Sequence, residues 1–274
     1  MRQRMGDSAR VITFLSDYGL EDGFVGICHG VIARLCPQAR VIDLTHGVER
    51  QDVRRGALIL QEALSYLPVG VHLAVVDPDV GAERRAVALR LADGRLMVGP
   101  DNGLLWLAAE RSGGVIEAVD IATSRFRLEP VSATFHGRDI FAPVAAVLAG
   151  GVSLAETGDP CDPDDLVKLT LPQPSVEDGV LLAHALYIDR YGNVGLNVGH
   201  DQLASLGFRL GARVGVDAAA AEASALYART FADVSRGELL VYEDAAKRLS
   251  LAISHGSAAD QLKVKLDDPI RIRP

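Results

Sequence analysis

Val71-His72-Leu73-Ala74-Val75-Val76-Asp77-Pro78-Asp79-Val80-Gly81-Ala82-Glu83-Arg84-Arg85 is the stretch on which the fold turns. Its apolar start, Val71 to Val76, reads as a buried strand. A carboxylate follows at the strand's C-terminal end, then a Pro and Gly turn, then two guanidinium groups. Ligands of open α/β sheets bind outside the C-terminal ends of the strands. Upstream, Val11 to Leu15 reads as a second buried strand, with Ser16-Asp17-Tyr18-Gly19 as the loop leaving it. Helical stretches follow at Phe24 to Leu35, stopped before Pro37, and at Asp52 to Leu67, stopped before Pro68. Val41 to Leu44 is a strand between them. Strands alternating with helices predict a mostly parallel sheet between helices.

Downstream, Ala86 to Leu91 and Leu96 to Val98 flank Ala92-Asp93-Gly94-Arg95 and read as a hairpin, so part of the sheet is expected to be antiparallel. Leu104 to Arg111 and Ile140 to Leu148 read as helices, with Pro143 tolerated in the first turn of the second. The pattern changes near Pro172-Gln173-Pro174-Ser175. Short apolar runs then alternate with turn residues: Val180 to Ile188, Val194 to Asn197, Arg213 to Val216, Glu238 to Tyr242 and Leu249 to Ser254. They predict a smaller β-rich, barrel-like domain. The alanine-rich Asp217 to Ala225 is ambiguous between helix and strand. The domains expected are an α/β unit over 9–170 and a β-rich unit over 178–274, joined by Leu171 to Asp178.

The 274 residues are 49% hydrophobic and 23% charged, an ordinary globular composition. A net charge of −8 argues against nucleic acid or an anionic membrane as partner. Cys28, Cys36 and Cys161 form no Cys-x-x-Cys pair. An odd, sparse set fits a reducing cytoplasm, the expected location, and not a structural zinc site. No segment is long enough to span a membrane.

Three side chains form the sharpest set: Asp77, Arg84, and His136 of Thr134-Phe135-His136-Gly137-Arg138-Asp139. The bland reading is a capping Asp, a surface Arg and a core His. Asp17, just after the first strand, can accept from two donors at once, or can simply make an Asx-turn. Asp189-Arg190-Tyr191-Gly192-Asn193 favours a β-turn unaided. Gly99 to Gly103 reads mainly as a turn and helix start, with a weaker site role for Asn102. No metal motif stands out, although Asp17, Asp77, Asp101, His136 and Asp139 could in principle gather round an ion. There is no Gly-x-Ser-x-Gly elbow and no Gly-x-Gly-x-x-Gly fingerprint.

In this order the segments resemble the S-adenosylmethionine (SAM) hydroxide adenosyltransferases, or SAM hydrolases. That family is related to fluorinating and chlorinating enzymes that attack the same sulfonium. The resemblance covers Val11 to about Ile270. It implies that SAM and water give adenosine and L-methionine, with SAM as substrate and no cofactor. Asp77, Arg84 and His136 would activate the water. Asp17 would hold the ribose, Asp189 the methionine amino group, and Tyr191, Asn193, Phe231, Phe135 and His255 the rest of the substrate. The resemblance also implies a homotrimer with sites between subunits. Asp79 departs from the family's usual Gly, and Ser254-His255 from its usual Asn-Gly. The fluorinases have a Tyr–Ser pair where this chain has His136-Gly137, and a Tyr in place of Asp77. A silent SAM-binding module, halide transfer and a metal-dependent hydrolase are the alternatives.

Overall fold

The computed structural model describes residues 10–199, 202, 207–218 and 221–274. The chain divides into two compact units, Met1–Leu169 and Thr170–Pro274.

The first unit is built on a seven-stranded sheet. In chain order its elements are β1 (Val11–Ser16), α1 (Phe24–Leu35), β2 (Arg40–Thr45), α2 (Val53–Leu64), β3 (Val71–Val75), β4 (Ala86–Leu91), β5 (Leu96–Pro100), α3 (Trp106–Arg111), β6 (Val115–Asp120), α4 (Ala142–Ala149) and β7 (Asp159–Cys161). The strand order is β2-β1-β3-β5-β4-β6-β7. β2, β1, β3 and β5 run parallel, whereas β4 pairs antiparallel with both β5 and β6. The expected hairpin is therefore β4–β5. Both faces of the central strands are covered. Ile12 and Phe14 pack with α1 and α4, and Leu15 packs on the other face with Leu60 and Leu64 of α2. Burial on both faces explains why β1 and β3 read as continuous apolar runs and not as alternation.

Chain order reverses direction at β1, which lies between β2 and β3. Such a switch point opens a crevice at the strands' C-terminal ends. Ser16 at the end of β1 pairs with Val75 at the end of β3, so the loops that leave these neighbours carry Asp17 and Asp77 side by side.

α2 begins at Val53, with Asp52 as a cap accepting from Arg55 N at 2.9 Å. α3 starts two residues later than the sequence suggests, after a turn. The helix expected at Ile140 begins earlier, as a π-helical turn over Gly137–Phe141 that runs into α4. Pro143 has no N–H for the carbonyl of Asp139, and the amide of Leu128 bonds that carbonyl instead, at 2.8 Å.

The second unit contains β8 (Ser175–Glu177), β9 (Val180–Ile188), β10 (Val194–Gly199), β11 (Arg213–Ala218), β12 (Ala221–Tyr227), β13 (Leu239–Glu243), β14 (Arg248–Ile253), the short helix α5 (Ala258–Leu262) and β15 (Pro269–Arg273). The order β10-β14-β13-β12-β11-β15-β9 closes through a β9–β10 pairing into a seven-stranded barrel, with β8 outside on β9. β8 falls within the stretch expected to be linker. Where it is described, at 217–218 and 221–225, the alanine-rich stretch is strand, residues 219 and 220 lying outside the described residues; β11 alternates exposed or half-buried residues with buried ones and sends Val214, Val216 and Ala218 into the barrel core. Burial on a period of two outweighs alanine's helical propensity.

Candidate active site

In the first unit the β3–β4 connection and the turn before α4 bring Asp77, Arg84 and His136 together. Arg84 Nε donates to Asp77 Oδ1 at 2.8 Å, and Arg84 Nη2 donates to Asp77 Oδ2. The same Nη2 lies 2.8 Å from His136 Nδ1. The ion pair is nearly dry, the Arg84 and Asp77 side chains being 8% and 6% exposed. The ring of Phe141 lies 5.3 Å from the guanidinium carbon.

A guanidinium has donors only. His136 Nδ1 must therefore accept, which makes the imidazole neutral with its proton on Nε2. Burial, and then the charge of Arg84, hold the His136 pKa below its usual value, against opposing pulls from Asp77 and Asp139. The arrangement presents a carboxylate acceptor and an imidazole N–H donor joined by one guanidinium.

The surrounding structure fixes this set. Asn102 donates to Val76 O at 2.8 Å and pins the end of β3 next to Asp77. Its weaker site role thus becomes a supporting one. Gly81 takes φ +83°, and a Cβ there would lie 2.5 Å from Ala133 O. The positive φ falls on Gly81 and not on Asp79, so the Asp79 departure causes no strain. Asp139, buried and paired with Arg138, accepts from Ser132 N at 2.8 Å and anchors the loop before His136.

Asp17 accepts from Gln51 N through Oδ2 at 3.0 Å, which fixes its loop. Phe135 packs edge-on against Tyr18 and Phe24, at 5.8 and 5.2 Å between centroids. Tyr18 escaped the sequence reading. Burial, followed by the charges of Cys28, Asp17 and Asp77, pushes its hydroxyl pKa well above 10, so it stays protonated. A Cβ on Gly137 would stand 2.0 Å from this hydroxyl oxygen. No side chain fits at 137 while Tyr18 is in place. Asp77, Asp101 and Asp139 are each paired with an arginine. Among the described residues the acidic set considered for a metal does not converge.

In the second unit the Asp189–Asn193 turn joins β9 to β10. Asp189 Oδ1 accepts from Tyr191 N and Asn193 N at 2.8 and 3.0 Å, and Oδ2 from Asn193 Nδ2 at 2.8 Å. The β-turn reading of these residues is thus realised, and Oδ2 of Asp189 keeps a spare lone pair. Gly192 O accepts from Ala259 N at 3.0 Å, tying the turn to the His255–Ala259 segment. Tyr191 is 71% exposed and Phe231 40%. Phe231 lies 5.2 Å from the ring of Tyr242, a residue the sequence did not single out. Burial, then the charges of Asp244 and Asp189, push the Tyr242 hydroxyl up to about 12. His255 is exposed, at φ +59°.

Residues 12–158 match the profile of the SAM hydroxide adenosyltransferase N-terminal domain, and residues 183–271 that of the C-terminal domain. The chain belongs to the SAM hydroxide adenosyltransferase family. It is 49% identical to a Salinispora tropica protein named (R)-S-adenosyl-L-methionine hydrolase, over 95% of this chain and 97% of that one. A Thermus thermophilus protein of the same name is 38% identical over 96% and 99%. A fluorinase from an Actinoplanes species is more distant, at 29% over 88% and 90%. A crystal structure of an uncharacterised conserved protein from Thermotoga maritima superposes with a TM-score of 0.90, at 38% identity, covering 96% of this chain and all of that one. The hydrolase-named family members are thus more similar to this chain than the fluorinase is.

Proposed function

We propose that the protein hydrolyses SAM to adenosine and L-methionine by in-line attack of a held water on the ribose C5′. The observation that carries this reading is the guanidinium shared between Asp77 and His136. A sulfonium departs as a neutral thioether, so no acid is needed on that side. The difficulty lies with the nucleophile, which must be held in line and relieved of a proton. His136 Nε2–H would donate to the water oxygen, and a free lone pair of Asp77 would accept its proton. Arg84 fixes both partners and favours hydroxide character between them. His136 then acts as donor, because its Nδ1 is already taken by Arg84.

In this reading Asp17 holds the ribose hydroxyls and Phe135 lines the sugar end. Asp189, Tyr191, Asn193, Phe231 and His255 bind the methionine amino group and the adenine. The reaction uses no cofactor. We also propose a homotrimer in which neighbouring subunits complete each site, and a cytoplasmic location, in keeping with three free cysteines. No helix among the described residues is long and apolar enough to cross a membrane.

Halide transfer ranks lower for two reasons. A negative Asp77 repels a halide, and the space where fluorinases carry a serine is filled here by the Tyr18 hydroxyl. The test is incubation of EDTA-treated protein with SAM, with and without fluoride or chloride, followed by chromatography. Adenosine and methionine without added halide support hydrolysis. Bound but unconverted SAM, or turnover only with halide, contradicts it.

A further inference from the structure

A second cluster of chemistry-bearing side chains lies at the open edge of the first sheet and has no part in the proposed reaction. His29 of α1, Asp43 of β2 and His46 just beyond β2 each direct one ligand atom into a common space, all within 4.8 Å of one another. His29 Nε2 is 2.9 Å from Asp43 Oδ1 and hydrogen-bonded to it. His46 Nε2 is 3.0 Å from the same oxygen. That second approach is not aligned as a hydrogen bond. His46 Nε2 is buried and makes none, on a side chain only 3% exposed.

We propose that His29, Asp43 and His46 form a binding site for a divalent transition-metal ion, with Zn²⁺ the best match. Two imidazoles and a carboxylate are a donor set this ion takes, with solvent in the remaining position. Ligands at about 2.0–2.2 Å from a tetrahedral ion stand roughly 3.3–3.6 Å apart. The two nitrogen–oxygen separations here, 2.9 and 3.0 Å, need to open by roughly half an ångström.

The surroundings are those of a metal-binding imidazole. His46 Nδ1 is hydrogen-bonded to Ser16 Oγ at 2.7 Å. With Nδ1–H donating, Nε2 carries its lone pair into the cluster, as an outer-shell partner does for a ligating histidine. The Phe14 ring packs edge-on to His46 at 4.7 Å and walls the inner side. Asp43, its side chain 41% exposed, leaves the outer side open to an entering ion. The alternative is a carboxylate bridged by two imidazoles and nothing more. It leaves the buried His46 Nε2 3.0 Å from the Asp43 carboxylate without an aligned hydrogen bond.

An ion here would brace the loop that carries Asp17. His46 O accepts from Gly19 N at 2.8 Å, and Ser16 Oγ accepts from Tyr18 N at 3.3 Å. The ion takes no part in bond making.

The test is calorimetric titration of the chelator-stripped full chain with Zn²⁺, without substrate, and with Co²⁺ as a visible-absorption probe of coordination. The expected result is one ion per chain, a Co²⁺ spectrum of tetrahedral intensity, and affinity lowered about tenfold or more in both His29→Ala and Asp43→Asn. Both positions are part-exposed, and matching circular dichroism confirms that the variants fold. Absence of one-to-one binding by the wild type overturns the proposal. So does failure of either substitution to weaken binding.

Discussion

At the scale of single residues, the shared Arg84 Nη2 separates the roles of its two partners. Asp77→Asn keeps the shape but loses the charge that draws a proton. It should lower kcat by about 10²–10⁴-fold, while SAM binding measured by calorimetry persists. Arg84→Met should also cost stability, about 3–5 kcal/mol by urea unfolding, because it strands a buried carboxylate. A protonated His136 would set a second donor against Arg84. Activity should therefore fall as pH drops through the His136 pKa, which lies below 6.5. In a kcat–pH profile, His136→Gln should flatten that acid limb. An unchanged limb would remove His136 from the account. At Gly137, serine should cost about 1–3 kcal/mol through the overlap with Tyr18, with partial recovery in the Gly137→Ser, Tyr18→Phe double variant. The family motifs made Asp77, Arg84 and His136 legible in the sequence. The Tyr18–Gly137 contact was not legible. Its partners lie far apart in the chain and meet only because β1 and the turn before α4 share one end of the sheet.

At the scale of elements, β1 and β3 carry a pH-sensitive joint. His72 is fully buried in β3, with Nδ1 bonded to Thr13 Oγ1 at 2.8 Å. Burial, and then the charge of Arg95, lower its pKa to about 4. The unfolded chain takes up this proton near pH 6.5 and the folded chain only near 4. The His72 contribution is thus fully present above 6.5 and is lost as pH falls toward 4, up to about 3 kcal/mol. Urea unfolding at pH 7 and pH 4.5 should show a smaller acid loss in His72→Asn than in wild type. Equal losses would contradict the assignment. The major elements were legible from apolar runs and from Pro and Gly boundaries: α1 occupies the predicted residues, and the β4–β5 hairpin was marked by Asp93-Gly94. The π-helical turn was not legible. Its Asp139 carbonyl is met by Leu128 N, a bond between segments that local patterning does not report. The alanine-rich β11–β12 pair was obscured because helix propensity and barrel burial point in opposite directions there.

At the scale of the whole molecule, the candidate groups are divided between two independently packed units, with Asp77, Arg84 and His136 in one and Asp189, Tyr191 and Asn193 in the other. The proposed trimer makes a direct prediction. Asp77→Asn and Asp189→Ala proteins, each weakly active, should regain part of the activity when unfolded and refolded together, because some sites in mixed trimers combine two intact halves. Recovery absent at every mixing ratio would place each site within one chain. The central claim is water attack at C5′, and labelled solvent tests it most directly. EDTA-treated protein is incubated with SAM in ¹⁸O-water, and the products are weighed by mass spectrometry. The account predicts ¹⁸O at the 5′ oxygen of adenosine and none in methionine. Unlabelled adenosine, or SAM recovered intact, would contradict it.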